Sequence, residues 1–281
     1  MMAERWRERL PALFAIALPV LAGLAYMALF GAPGSYLVAN GGALVLAGAF
    51  LLLGIPPLHR RGRLVLGLVL LALFALPLLT GPTLEGPFTD GVRRWLPLGP
   101  ITLHAGLLTI PPLLVLASED ERLGPLAIGV GLLIALLQPD FASAFALTGG
   151  AVGLYQARRD WRIGLVIILG FLFSVSAALR GELPAVPFVE RVVIDALRES
   201  LALGALLALA LGGATLTMLF GTGLPARTRY AIGMGFFGFL VASLISNYPT
   251  PLAGYGAAAI LGFALAHALA FALPEDHKVD A

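Results

Sequence analysis

The stretch His59-Arg60-Arg61-Gly62-Arg63 and the run behind it, LVLGLVLLALFALPLLT from Leu64 to Thr80, carry the pattern that decides the fold. Three arginines crowd one end, and then 17 residues pass without an ionisable side chain. At 1.5 Å rise per residue such a helix is about 26 Å long, close to the roughly 30 Å of a bilayer's hydrocarbon core. Similar apolar blocks recur along the whole chain. Of 281 residues, 59% are hydrophobic and 12% charged, with a mean hydropathy of +0.94. A water-soluble domain carries about 25% charged residues to cover its surface. The sequence therefore predicts an all-α, polytopic transmembrane helix bundle in one membrane-embedded domain, residues 1–281.

Ten apolar segments are long enough to count, near Leu10–Phe30, Tyr36–Ile55, Leu64–Thr80, Ile101–Ala117, Pro125–Leu137, Phe141–Tyr155, Ile163–Leu179, Leu201–Phe220, Tyr230–Ile245 and Gly254–Leu273. The fifth and sixth are short and flank Gln138-Pro139-Asp140, so they form a tight hairpin or the fifth crosses only in part. With ten crossings, one side collects Arg5, Arg7, Arg9, Arg60, Arg61, Arg63, Arg122, Arg158, Arg159, Arg162, Arg227, Arg229 and Lys278. The other keeps Arg93, Arg94, Arg180, Arg191 and Arg198. Positive charge is retained on the cytoplasmic side, so both termini are expected there, in the inner membrane. The apolar segment behind the basic N-terminus is long and lacks a small-residue cleavage site, which reads as a first crossing rather than a signal peptide.

The net charge of +2 is too small, and its arginines too scattered, for a nucleic-acid partner. Cysteine is absent, which excludes disulfides, thiol nucleophiles and thiolate metal sites. His59, His104, His267 and His277 are dispersed, without metal-ligand spacing. Gly149, Gly150 and Gly153 lie inside an apolar segment, where glycine serves helix packing rather than phosphate binding. No inverted repeat with paired interrupted segments marks a transporter. On the outer side, by contrast, ionisable residues gather in two loops, 82–100 and 180–199. Glutamates and aspartates accompany arginines there, as handling an anionic lipid-linked substrate would require.

Four stretches share a resemblance. Gly91-Val92-Arg93-Arg94-Trp95-Leu96-Pro97-Leu98-Gly99-Pro100-Ile101 resembles the first large outer loop of the RodA/FtsW/SpoVE (SEDS) family of cell-wall polymerases. Two guanidiniums there can clamp phosphate, and the indole of Trp95 suits headgroup depth. Leu137-Gln138-Pro139-Asp140-Phe141-Ala142-Ser143-Ala144 resembles the family's Gln-Pro-Asp run between its fifth and sixth helices. Asp140 there reads as an N-cap of the following helix, with a site role added. Pro187 to Leu207 resembles the stretch that leads into the eighth helix. Aligned without gaps from Gly204, Glu199 falls on a family glutamate and Glu190 on the aspartate thought to be catalytic. Asp195 competes five residues on. Asn247 to Leu261 resembles the final outer loop, where Tyr255 and Gly256 match.

The four matches are collinear with the family across most of the chain. Departures accompany them: the family's Pro-Ser-Glu and lysine at the fourth helix are here Ala105-Gly106-Leu107 and Ile110, two motif serines are alanine, and the loop before the eighth helix is cut short. The resemblance implies a lipid II polymerase, a peptidoglycan glycosyltransferase acting on a lipid-linked precursor for cell shape or division. Glu190 is then the first choice of general base and Asp195 the second, while Arg93 and Arg94 bind pyrophosphate. Trp95, Glu199 and Tyr255 line the substrate site, and Asp140 shapes it or holds a divalent cation. Membrane lipids and a class B penicillin-binding protein are the implied partners. Two alternatives stay open: a catalytically silent relative that scaffolds the wall machinery, and a lipid or small-molecule transporter.

Overall fold

The structure is a computed structural model that describes residues 2–86, 89–99 and 101–273. Ten helices of fifteen residues or more build the bundle among the described residues. In chain order the helices begin with α1 (Met2–Leu29), α2 (Gly34–Leu53), α3 (Arg60–Ala75) and its short continuation α4 (Pro77–Thr80). Then come α5 (Ala105–Glu119), α6 (Leu123–Leu137), α7 (Phe141–Arg158) and α8 (Trp161–Ala178). A short α9 (Val192–Glu199) precedes α10 (Leu201–Leu216), which runs into a π-helical turn at Thr217–Gly221. The last two are α11 (Ala226–Ile245) and α12 (Ala257–Ala272).

Six helical stretches are individually long and apolar enough to cross a membrane, and α5, α6 and α12 are shorter apolar helices. The chain is a multi-pass membrane protein. Its outer helices show why: only 17% of the α3–α4 span and 22% of α2 are buried inside the protein, so leucines cover the remainder. Such a surface is costly in water and costs nothing against acyl chains. The centre is formed by α5, α7, α11 and α12, whose residues are mostly buried. At 15 or 16 residues, α5 and α12 reach about 24 Å at most, short of a full hydrocarbon core. Their ends are covered by neighbouring protein, where unsatisfied backbone is tolerated.

Close approach between α7 and α11 depends on small residues. A Cβ on Gly149 would strike the Met234 carbonyl, and one on Gly153 the Tyr230 carbonyl. The glycines anticipated as packing residues thus let two backbones meet. Gly153→Leu is expected to destabilise the bundle by about 1–3 kcal/mol or more through overpacking. A lowered melting temperature in detergent reports it, with Gly129→Leu, which faces open space, unchanged.

Three features of this end of the bundle go beyond the sequence reading. The 82–104 stretch holds two hairpins: β1 (Leu84–Gly86) pairs antiparallel with β2 (Thr89–Val92), and β3 (Trp95–Leu98) with β4 (Ile101–His104). The fourth apolar segment consequently starts as a strand. Its helix begins only at Ala105, because Ile101 and Thr102 are β-branched and pair with Leu98 and Pro97 across a turn in which Gly99 takes φ +63°. Finally, residues 192–199 of the second loop are helical. Val192, Val193 and Ala196 turn inward there, while Arg198 and Glu199 stay exposed.

Candidate functional site

Loops 82–104 and 180–199, with the loop before α12, bury a polar cluster at one end of the bundle. Its frame is the β3–β4 hairpin, in which Trp95 lies directly opposite His104. Their rings meet edge to face at 5.9 Å. Arg94, just before β3, is 1% exposed and is held between two aromatic faces: its guanidinium carbon lies 4.8 Å from the Trp95 ring and 4.3 Å from the Tyr248 ring. Arginine suits such a sandwich because its planar, weakly hydrated cation stacks on π faces. Its Nε and Nη1 are buried without a hydrogen-bond partner.

Asp140 is fully buried at the N-terminus of α7. Its Oδ1 accepts from the Ser143 N–H at 3.1 Å and its Oδ2 from the Ser143 hydroxyl at 2.5 Å, so the helix is capped twice. His104 Nε2 is 3.5 Å from Asp140 Oδ2, while its Nδ1 accepts from the Leu107 N–H and caps α5. Burial lowers the His104 pKa to about 4, despite the opposing pull of Asp140. The imidazole is neutral at physiological pH, so the His104–Asp140 contact is not an ion pair. Tyr248 joins the two halves of the cluster, its hydroxyl accepting from Phe141 N–H at 3.2 Å and donating to the Gly181 carbonyl at 3.3 Å. Gln138, also buried, donates to the Phe74 carbonyl and ties the cluster to α3.

Glu190 enters from the loop between α8 and α9. It is 7% exposed, and its Oε2 accepts from the N–H of exposed Val186 at 2.7 Å. The carboxylate thus lies directly beneath a surface segment. Burial pushes its pKa up from 4.5 to about 7, with the Val186 N–H and the Arg94 guanidinium pulling the other way. The backbone holding it is over-determined. Glu190 bridges to Pro249, the Thr250 N–H donates to the Val189 carbonyl, and the Tyr255 N–H donates to the Phe188 carbonyl. Phe188 and Arg191 on its two sides adopt φ of +64° and +56°. Side chains other than glycine, asparagine and aspartate seldom take that conformation, which costs of order 1–3 kcal/mol each and gathers at functional sites. Asn40 of α2 secures the facing loop, donating to the Gly254 carbonyl and accepting from the Gly256 N–H.

Of the residues singled out by sequence, Arg94, Trp95, Asp140 and Glu190 come together. Arg93 separates from its neighbour: it is exposed and donates to Thr83 Oγ1 and the Leu78 carbonyl, so the pair is not one clamp. Asp195 is half-buried on α9 and faces Arg198 at 3.4 Å, and Glu199 is exposed at the end of that helix. Tyr255 stacks on Tyr36 at 3.6 Å, at the edge of the last loop. Sequence reasoning passed over His104, Ser143, Tyr248 and Asn40. Ser143 had a readable signal, three residues after a capping aspartate; His104 had none, because its partner lies 36 positions away. No group of three His, Asp or Glu side chains converges among the described residues.

No family model and no curated protein matches the chain by sequence. Solved structures do match by fold. The rod shape determining protein RodA of Thermus thermophilus superposes with a TM-score of 0.63 at 20% identity, over 93% of this chain and 94% of that one. An aspartate-to-alanine mutant of the same protein gives 0.59 at 19% identity, over 93% and 95%. A chain from a structure describing coordination of polymerization and crosslinking by a peptidoglycan synthase complex gives 0.61 at 21%, over 92% and 96%. From the first helix to the last, this chain is built on the fold of RodA.

Proposed function

We propose that this protein is a peptidoglycan glycosyltransferase of the SEDS kind, polymerising a lipid-linked disaccharide at the outer face of the inner membrane. One observation carries the reading above all: the buried carboxylate of Glu190 lies just beneath an exposed surface segment, within the field of a caged arginine, and burial raises its pKa to about 7. A general base works best with a pKa near the operating pH. In the reaction an acceptor sugar hydroxyl gives its proton to Glu190 as its oxygen bonds to the donor's anomeric carbon. The bond from that carbon to the undecaprenyl pyrophosphate oxygen breaks, and the pyrophosphate leaves with the electron pair. Arg93, exposed on the first outer loop, is placed to meet the anionic leaving group. Arg94 sets the field at Glu190, and Asp140 with His104 fixes the starts of α7 and α5 around it.

The RodA-like fold and the likeness to a chain of a synthase complex support this reading, and by analogy a class B penicillin-binding protein would supply crosslinking. Polymerisation of purified lipid-linked disaccharide by the solubilised protein, alone and with such a partner, tests it. A second reading, the catalytically silent relative, draws on Gly106. A Cβ there would collide with the Ser143 hydroxyl, so the serine that the family places at this position has no room unless Ser143 moves. Absence of polymer under every partner condition would decide for that reading.

The arginine asymmetry orients the site. Reporter fusions after Arg162 and after Lys278 are expected to read cytoplasmic, and one in the 85–90 loop external. A cytoplasmic signal from that loop would put Glu190 on the wrong side for a lipid-linked acceptor.

A further inference from the structure

A second feature lies at the opposite end of the bundle and owes nothing to the polymerase reading. Between α3, α5 and α6 opens a cavity of about 540 Å³. Its walls are apolar, formed by Gly67, Leu68, Leu71, Leu113, Leu116 and Val130 among others, and its rim carries Arg60 and Arg63. From Arg60 to Leu71 it runs eleven residues down α3, about 17 Å. That is one leaflet of a hydrocarbon core of roughly 30 Å.

The rim is short of an anion. Arg60 and Arg63 make no hydrogen bond or ion pair through their side chains among the described residues. They stand three apart on one helix face, where like charges repel. They also occupy the first turn of α3, at the positive end of its dipole, and His59 supplies no side-chain cap to the free N–H groups there. The two acids of the lining are already committed. Glu119 forms a two-pronged pair with Arg227 at 3.1 and 3.2 Å, and Asp120 caps α6 through the Arg122 and Leu123 N–H groups. Arg60 feels the Asp120 charge but does not bond it.

The geometry points to a binding site for an anionic phospholipid, one acyl chain lying in the slot and its phosphate between Arg60, Arg63 and the open start of α3. The slot's depth matches one chain, and its volume falls within the range of small-molecule sites. Guanidiniums pair with phosphate oxygens in a fork. A zwitterionic lipid fills the slot equally and offers the same phosphate, but its own ammonium already balances that charge, so the two cations gain no net anion.

The test is native mass spectrometry of the full chain in detergent, titrated with palmitoyl-oleoyl phosphatidylglycerol and, separately, with the phosphatidylcholine of the same chains. Phosphatidylglycerol is expected to bind about thirtyfold more tightly, the equivalent of two arginine–headgroup contacts. The exposed pair Arg60→Gln/Arg63→Gln should bring it down to the phosphatidylcholine value. Gly67→Leu, whose new side chain points past Leu116 into the slot, should weaken both lipids while raising the melting temperature, since it replaces a helical glycine. Inorganic phosphate should displace neither. Equal retention of the two lipids by wild type, unchanged phosphatidylglycerol binding in either variant, or displacement by phosphate overturns the proposal.

Discussion

Glu190→Gln is expected to abolish chain growth while the protein still folds and still retains lipid-linked precursor. Glutamine keeps the shape and the bond from Val186, but it cannot take the hydroxyl proton, and a positioned general base contributes about 10²–10⁴-fold in rate. Glu190→Asp should keep part of the activity, and Asp195→Asn should be mild because its carboxylate faces Arg198 on α9. Loss of activity in Asp195→Asn with Glu190→Gln intact would move the base to the other carboxylate. The same variant carries a stability signature. Glu190 titrates near 7 in the folded chain against 4.5 unfolded, so the fold favours the protonated form. Its contribution to stability is complete below about pH 4.5 and is lost as pH rises through 7. Glu190→Gln should therefore melt like wild type at pH 4 and above it at pH 8, by up to roughly 3 kcal/mol for a shift of this size. A glutamate kept at that cost in a loop with two strained neighbours is a stability sacrifice of the sort active sites make.

The second large effect belongs to Arg94. Arg94→Met removes the nearby cation that holds the Glu190 pKa down and leaves a side chain of similar reach between the rings of Trp95 and Tyr248. The pH at half-maximal activity should rise by about one unit, and activity at pH 7 should fall about fivefold as the deprotonated fraction drops. Stability should change much less, because the buried Nε and Nη1 of Arg94 have no hydrogen bonds to lose. Arg94→Lys should restore the pH midpoint but not the stacking, which needs the guanidinium plane. A pH profile unchanged in Arg94→Met would reduce the residue to a packing element. These measurements separate the field of Arg94 from a direct grip on pyrophosphate, for which exposed Arg93 is the better placed of the two.

How much of this was legible differs between bundle and site. The helices followed from apolar blocks such as Leu64–Thr80: each of the ten apolar segments contains a helix, and six stretches are long and apolar enough to cross a membrane. Where Ile101–His104 departed from that reading, a run opened by two β-branched residues found a strand partner within the same loop. Hydropathy cannot distinguish that from the start of a helix. In the site, Asp140 was readable as a cap because its partner, Ser143, is three residues away. His104 looked like one of four scattered histidines, and Tyr248 like part of a turn. Their meaning comes from neighbours in other loops: Trp95 and Asp140 for one, Arg94, Phe141 and Gly181 for the other.

The sequence alone determined that this chain lives in lipid, how often it forms apolar helices, and which charges sit at which ends. Those properties are sums over local segments, and burial in a bilayer depends on each segment's own length and polarity. Only the tertiary structure decided that Arg94 is caged while Arg93 is exposed, that Glu190 is buried more deeply than Asp195, and that Arg60 and Arg63 overhang an apolar slot. A pKa, an unpaired guanidinium and a cavity depend on what distant segments bring within a few ångströms of one atom. Adjacent residues in a chain need not share any of those neighbours.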